Sequence, residues 1–243
     1  MCFIFGLVVG SFLNVVIARL PMERSIVQPR SACPDCGAAI RWYDNLPVVS
    51  WLSLRGRCRA CHHPISRRYP TVELLTGILF ALAAWHAATV LDLVAAMVFL
   101  AALVVISGID LDHQIIPDII TLPGIVVGAL LSLLGSPKSW LDVLLGILVG
   151  GGPFVLIILL TAGRGMGGGD PKLGAMIGAF LGWKLALLAI LIGVWSGGAV
   201  AIALLATGRK GRKAAIPFGP FLALGGMISL LWGGRLLVWY LGG

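Results

Sequence analysis

Apolar residues run almost unbroken through most of this chain, and the interruptions define its elements. A helix needs about 20 apolar residues to cross about 30 Å of hydrocarbon. Runs approaching or reaching that length fall at 1–18, 72–90, 91–109, 118–135, 139–162, 173–186, 187–206 and 217–240. The pattern predicts an all-α polytopic membrane protein with about eight transmembrane helices, of which the first and sixth are short. The run opening at Met1 has no basic segment before it and no small-residue cleavage site after it. It is therefore expected to be a retained span rather than a removed signal. One long hydrophilic stretch, residues 19–71, breaks the series. Three regions follow: a first transmembrane helix at 1–18, a small cytoplasmic loop domain at 19–71, and a membrane domain at 72–243.

Composition sharpens this picture. Of 243 residues, 59% are hydrophobic and 12% charged, against about 25% charged in a typical soluble domain. A soluble fold is excluded. Orientation follows from the 18 Lys and Arg, because basic loops stay in the cytoplasm. Nine lie from Arg19 to Arg68; Arg164, Lys172, Arg209, Lys210, Arg212 and Lys213 fall on the same side if eight spans alternate, leaving only Lys138, Lys184 and Arg235 elsewhere. Both termini are then expected to face away from the cytoplasm. The net charge of +8 fits topology and contact with anionic membrane lipid, and nucleic acid is not an expected partner.

The hydrophilic stretch carries Cys33-Pro-Asp-Cys36 and Cys58-Arg-Ala-Cys61, with 21 residues between the pairs. Two such pairs present four thiolates, the donor set of a closed tetrahedral structural zinc site that could order a loop with little apolar core. A pair of disulfides is the alternative, disfavoured in a reducing cytoplasm. A thioredoxin-like role lacks its βαβ context. His62 and His63 stand close enough to compete as ligands, and Cys2 reads as a small buried apolar residue.

Ionisable groups within or beside a span are costly and so are functional candidates. Beyond the loop these are Glu73, Asp92, Asp110, Asp112, Asp118, Asp142 and Asp170. Asp92 and Asp142 fall near extracytoplasmic turns and read as solvated. Asp110, Asp112 and Asp118 lie where the third span ends before Pro117, and Asp170 lies in Gly163-Arg-Gly-Met-Gly-Gly-Gly-Asp-Pro-Lys172. Alternation puts both segments on the cytoplasmic face. Gly167, Gly168 and Gly169 would let an extended peptide approach Asp170. Two carboxylates sharing one proton can act as base toward water and acid toward an amide. The bland alternative pairs Asp110 with a basic group and makes Asp170 a helix cap.

These residues carry a resemblance. Gly10-Ser-Phe-Leu-Asn-Val-Val, the two Cys pairs, Ile65-Ser-Arg-Arg-Tyr-Pro-Thr-Val-Glu73, the 110–118 segment, Gly167-Gly-Gly-Asp170 and Ile216-Pro-Phe-Gly-Pro220 together resemble the bacterial type IV prepilin peptidases. Those are GxGD-type aspartic proteases of the inner membrane, often also N-methyltransferases. The resemblance implies Asp110, seven positions before Pro117, and Asp170 as catalytic residues. Asp112 would point about 200° away from Asp110 on a helix. The implied substrate is a prepilin or pseudopilin precursor with a short basic leader, cleaved after a glycine at the cytoplasmic face. The implied second activity is methylation of the new amino terminus by S-adenosylmethionine, associated with 19–71. Glu73 is a candidate there for holding the cofactor or substrate amine, and as a first-turn acid it also suits a helix dipole. Asn14, Arg19 and Arg67 fit family motifs and fit structural anchoring equally; Lys172 reads as a snorkelling side chain or a leader contact. Two other classes remain. A transporter or proton relay predicts acids near the bilayer midplane; a membrane-tethered zinc module predicts function without the spans.

Overall fold

Small, polar and proline residues between the apolar runs set where each helix stops. A computed structural model describes residues 1–29, 31–135, 139–163, 166–207 and 216–242. Arg30, Lys138, Arg164, Gly165, Arg209, Lys210, Arg212 and Lys213, several of which bear on orientation, lie outside the described residues. Among the described residues regular structure is helical, with two isolated β-bridges. The helices are α1 (Cys2–Arg19), α2 (Val49–Ser53), α3 (Arg68–His86), α4 (Val90–His113), α5 (Asp118–Leu134), α6 (Trp140–Thr161), α7 (Asp170–Leu181), α8 (Trp183–Ala206) and α9 (Gly219–Leu241). Setting aside the one-turn α2, the helices among the described residues match the all-α polytopic expectation. Five of them, α1, α4, α6, α8 and α9, are long and apolar enough to cross a membrane.

Contacts divide the chain into two units, Met1–Trp85 and His86–Gly243. In the first, α1 lies directly on α3. A Cβ added at Gly6 would sit 2.8 Å from Gly77 Cα, and one at Gly10 would sit 2.7 Å from Glu73 Cα. Small residues four apart let the two backbones touch, which is how helices associate where lipid offers no hydrophobic drive. The loop between these helices folds as hydrogen-bonded turns around the four cysteines.

In the second unit, α7 packs against α5, α6, α8 and α9. The α6–α7 contact is a reciprocal glycine seam. Gly146 and Gly150 face the carbonyls of Gly178 and Gly174, and a Cβ at any of the four would collide with the opposing backbone. Phe99, Leu103 and Ile106 of α4, Leu173 and Met176 of α7, and Leu222 of α9 form the buried centre. The rings of Phe99 and Phe180 stack with centroids 4.8 Å apart. Ser132 of α5 donates to the carbonyls of Ala179 and Phe180 at 2.9 and 3.0 Å, tying down the end of α7. Outward-facing Leu148, Leu159, Leu160 and Trp195 stay exposed, as lipid-facing residues do.

Several boundaries differ from the apolar pattern: α3 covers 68–86 instead of 72–90 and α8 begins at 183 instead of 187, while the shifts at α4 and α7 have clear local causes. Helix α4 continues past 109 to His113, where Gln114 takes a left-handed conformation and donates to the Asp110 carbonyl at 2.9 Å. Its last turn is amphipathic, so a hydropathy window closes too soon. Helix α7 covers 170–181 instead of 173–186. It begins early because Asp170 and Pro171 suit a first turn, and it ends early because Gly182, at φ +78°, breaks the run before Trp183. Glycine holds that conformation without the steric cost other residues incur.

Candidate functional site

The second unit holds the aspartates among the acidic candidates. Asp110 sits in the last turn of α4 with only 5% of its surface exposed, whereas Asp112 is exposed. The helical turn between them separates the two as expected. Asp110 Oδ2 accepts the backbone N–H of Gly219 at 2.9 Å, a bond bridging 109 positions. Gly219 opens α9, so the carboxylate caps a helix N-terminus whose free N–H groups and dipole favour negative charge. A Cβ on Gly219 would lie 2.6 Å from the same oxygen; only glycine allows this approach. The Ile216–Pro220 element is thus an arm that holds Asp110. Sequence reasoning noted that element without seeing this job, for which a glycine immediately before a helix-opening proline was the available signal.

Asp170, 7% exposed, opens α7. The Gly167 N–H holds its carboxylate, and the Asp110 charge acts on it directly. Structure therefore brings the two carboxylates within electrostatic reach, at the end of α4 and the start of α7. The neighbouring glycines divide their work. A Cβ on Gly169 would meet Ile116 Cβ at 2.6 Å, so Gly169 serves packing; Gly168 has open space around it, and Gly167 faces only Asp170. Asp118 does not join the pair. It binds Lys172 Nζ through both oxygens at 2.7 and 2.6 Å, so Lys172 is engaged in linking α5 to α7 instead of reaching outward. Asp92 stands at the opposite end of α4, where the Thr89 hydroxyl, the N-cap of that helix, bonds its carboxylate at 2.8 Å.

In the first unit the four thiols converge. Cys33, Cys36, Cys58 and Cys61 place their sulfur atoms within 4.8 Å of one another, and Cys33 and Cys61 are 3.8 Å apart. Sulfurs about 2.3 Å from a tetrahedral ion lie about 3.8 Å apart, so this set could hold a metal ion. Both Cys pairs sit on matching turns. Cys33 and Cys58 each donate their N–H across the turn to Ala38 and His63, both at 2.9 Å, and each accepts from the residue after the second Cys. Those residues, Gly37 and His62, take positive φ. His63 approaches Asp35 at 3.4 Å and is outside the sulfur cluster, as is His62. The thiols are free of disulfides. The N–H groups of Cys61 and Ala60 pull the Cys58 thiol down to about 7. The Cys61 thiol is drawn down by the His63 N–H, yet burial and the adjoining thiols outweigh this and push it up to about 12. Four sulfurs so close resist ionising together without a cation among them.

Glu73 is separate from the sulfur cluster and lies 7% exposed near the start of α3. Its Oε2 accepts the Val48 N–H at 2.7 Å, and the Ser11 hydroxyl lies beside it. Asn14 of α1 donates to the carbonyls of Gly10 and Tyr69 at 3.2 and 3.1 Å, which anchors the helix pair. Arg19 donates to the carbonyls of Ser25 and Pro29 at 3.0 and 2.8 Å and ties down the chain that follows α1.

Known proteins share this arrangement of sequence. Residues 4–87 match the bacterial peptidase A24 N-terminal domain, and residues 97–202 match the type IV leader peptidase family. A prepilin leader peptidase/N-methyltransferase of Aeromonas hydrophila is 40% identical over 98% of this chain and 92% of its own length. One from Pseudomonas aeruginosa is 39% identical over 98% of this chain and 91% of its own length. One from Myxococcus xanthus is 46% identical over 87% of this chain, which spans 64% of that relative's length. No solved structure matches. With buried carboxylates in one unit, four convergent thiols in the other and relatives along nearly its full length, the chain belongs to the type IV leader peptidase family.

Proposed function

We propose that this chain is a bifunctional inner-membrane enzyme that cleaves the basic leader of type IV prepilins and pseudopilins after a glycine, and then methylates the new amino terminus. The observation that supports it most is that two buried carboxylates, Asp110 and Asp170, 60 positions apart in sequence, lie within electrostatic reach of each other. Like charges so close disfavour double ionisation, so the pair retains one proton. The ionised carboxylate takes a proton from water as the water oxygen bonds to the peptide carbonyl carbon. The protonated partner gives its proton to the amide nitrogen as the carbon–nitrogen bond breaks. Gly219 N–H fixes Asp110, and the open flank at Gly168 admits extended substrate backbone. A relay of protons across the membrane would place acids near the midplane, whereas both of these lie at helix ends.

We assign the peptidase to 72–243, with both termini away from the cytoplasm. In the second unit, Trp140 opens α6, Trp183 opens α8, and Trp239 and Tyr240 close α9; alternation puts all four at the end opposite the aspartates, as an interfacial aromatic belt requires. Residues 19–71 form the cytoplasmic domain, in which Cys33, Cys36, Cys58 and Cys61 would hold structural zinc with no position open to substrate. S-adenosylmethionine, when bound, supplies an electrophilic methyl group. Glu73 is placed to hold a cationic part of the cofactor or substrate amine.

The test is incubation of purified protein with a prepilin in detergent, followed by separation of precursor and shortened product. Asp110→Asn and Asp170→Asn should each lower cleavage by at least about 10⁴-fold, the scale on which acid–base machinery fails when one member is lost. Normal processing by either variant would overturn the assignment.

A further inference from the structure

Within the first unit, a cavity of about 860 Å³ extends from the inner face of α1 to the cysteine turns, bounded by Ser11, Asn14, Trp51, Tyr69 and Glu73 among others. That size suits a nucleoside-sized organic ligand. Two of its lining residues carry buried oxygen acceptors; Arg19 and Arg59, which also line it, are engaged by backbone carbonyls and by Asp44. The first is Asn14 Oδ1, which is buried and has no hydrogen-bond donor. Its orientation is forced, because Nδ2 faces two carbonyl oxygens, and a flipped amide would set oxygen against both. The second is Glu73, on the helix that supplies the Tyr69 carbonyl to Asn14. Among the described residues no basic side chain makes an ion pair with Glu73. Val48, the residue that donates to Glu73, is β-branched and sits at φ +61°, a strained conformation of the kind that persists where a ligand clamp needs it.

Buried acceptors need donors, and a carboxylate and a carbonyl-type oxygen lining one cavity are best matched by a group that donates several protons and carries positive charge. We propose that Glu73 and Asn14 Oδ1 together bind a primary ammonium group inside this cavity. This rests on the methyltransferase reading above, in which two ligands carry such a group: the α-ammonium of the methyl donor, or the amino terminus released by cleavage. Asn14 is here a binding residue as well as an anchor for α1.

The full-length protein in detergent decides this by calorimetric titration, using two probe pairs. The first is S-adenosylhomocysteine against its des-amino analogue. The second is a short peptide with a free amino terminus against the same peptide acetylated. Binding of the amine-bearing member at least about tenfold more tightly in either pair supports the proposal, and the pair that discriminates identifies the source. Glu73→Gln keeps an oxygen for Val48 N–H and loses the charge, so it should erase the discrimination while metal content and melting temperature hold. The probe comparison on unmodified protein needs no variant to fold. Equal affinity within both pairs, or no binding of either, overturns the proposal. If a cleaved precursor is still methylated in that case, only the ammonium site is lost; if methylation is absent as well, the functional reading fails with it.

Discussion

The two units solve the problem of precise placement by opposite means. Residues Met1–Trp85 contain a loop with little apolar mass, and its form comes from paired turns, backbone hydrogen bonds and four sulfurs gathered closely enough to hold a metal ion. Residues His86–Gly243 hold their acids by removing side chains: a glycine seam brings α6 onto α7, which opens with Asp170, and Gly219 lets the start of α9 close on Asp110. One gathers donors and the other subtracts atoms. A loop built of turns around four thiols is sensitive to what those thiols hold, whereas a glycine-packed bundle is disturbed by a single added methyl group.

The largest test of that contrast is such a methyl. Gly219→Ala places a Cβ where 2.6 Å separates it from Asp110 Oδ2, so the carboxylate must move. Cleavage should fall about 100-fold, the cost of misplacing a reacting group by about 1 Å, with the helical content by circular dichroism unchanged. Activity near the unmodified level would show that Gly219 does not position Asp110. Metal removal probes the other unit. Chelation should open residues 31–64 to proteolysis, since structural metal binding is folding energy, while cleavage declines far less than after Asp110→Asn. Abolished cleavage with a protease-resistant loop would reverse the expectation.

Smaller effects should distinguish surface ties from structural ones. Lys172→Met removes the pair with Asp118, whose side chains are 38% and 54% exposed. A pair this wet contributes about 0.2–1 kcal/mol, and a melting-temperature change well beyond that range would mean Lys172 has a further role. Smallest is the link from Arg59 to Asp44, made by three hydrogen bonds of 2.6–3.1 Å. The Arg59 guanidinium holds the Asp44 carboxyl below its usual range. Its stabilising contribution is therefore present above the unfolded value and is lost as pH falls through the lower folded one. Limited proteolysis of the loop between pH 5 and 2 should show this weakening, and Asp44→Asn should remove that pH dependence.

Much of this design could be read along the chain because its determinants are local. The spacing of Cys33, Cys36, Cys58 and Cys61 already implied convergent sulfurs, and long apolar runs implied helices through lipid. Helical rotation separated Asp110 from Asp112 before any coordinates. Features that depend on distant partners were not legible: Gly219 N–H reaching Asp110 across 109 positions, Lys172 turned to Asp118, and the donorless oxygen of Asn14. The break at Gly182 was hidden for another reason. Glycine is frequent in these helices, and only its positive φ distinguishes a stop from a seam.

That break has a consequence for biogenesis. Twelve residues of α7 rise about 18 Å, well short of a bilayer's hydrocarbon depth of about 30 Å, and nine of those residues are buried. Such a segment has too little lipophilicity to insert alone and must be carried in by longer neighbours. Asp170 rides on it. Asp170 thus comes within electrostatic reach of Asp110 only as the bundle closes, which leaves a half-made chain in the membrane without its second buried acid.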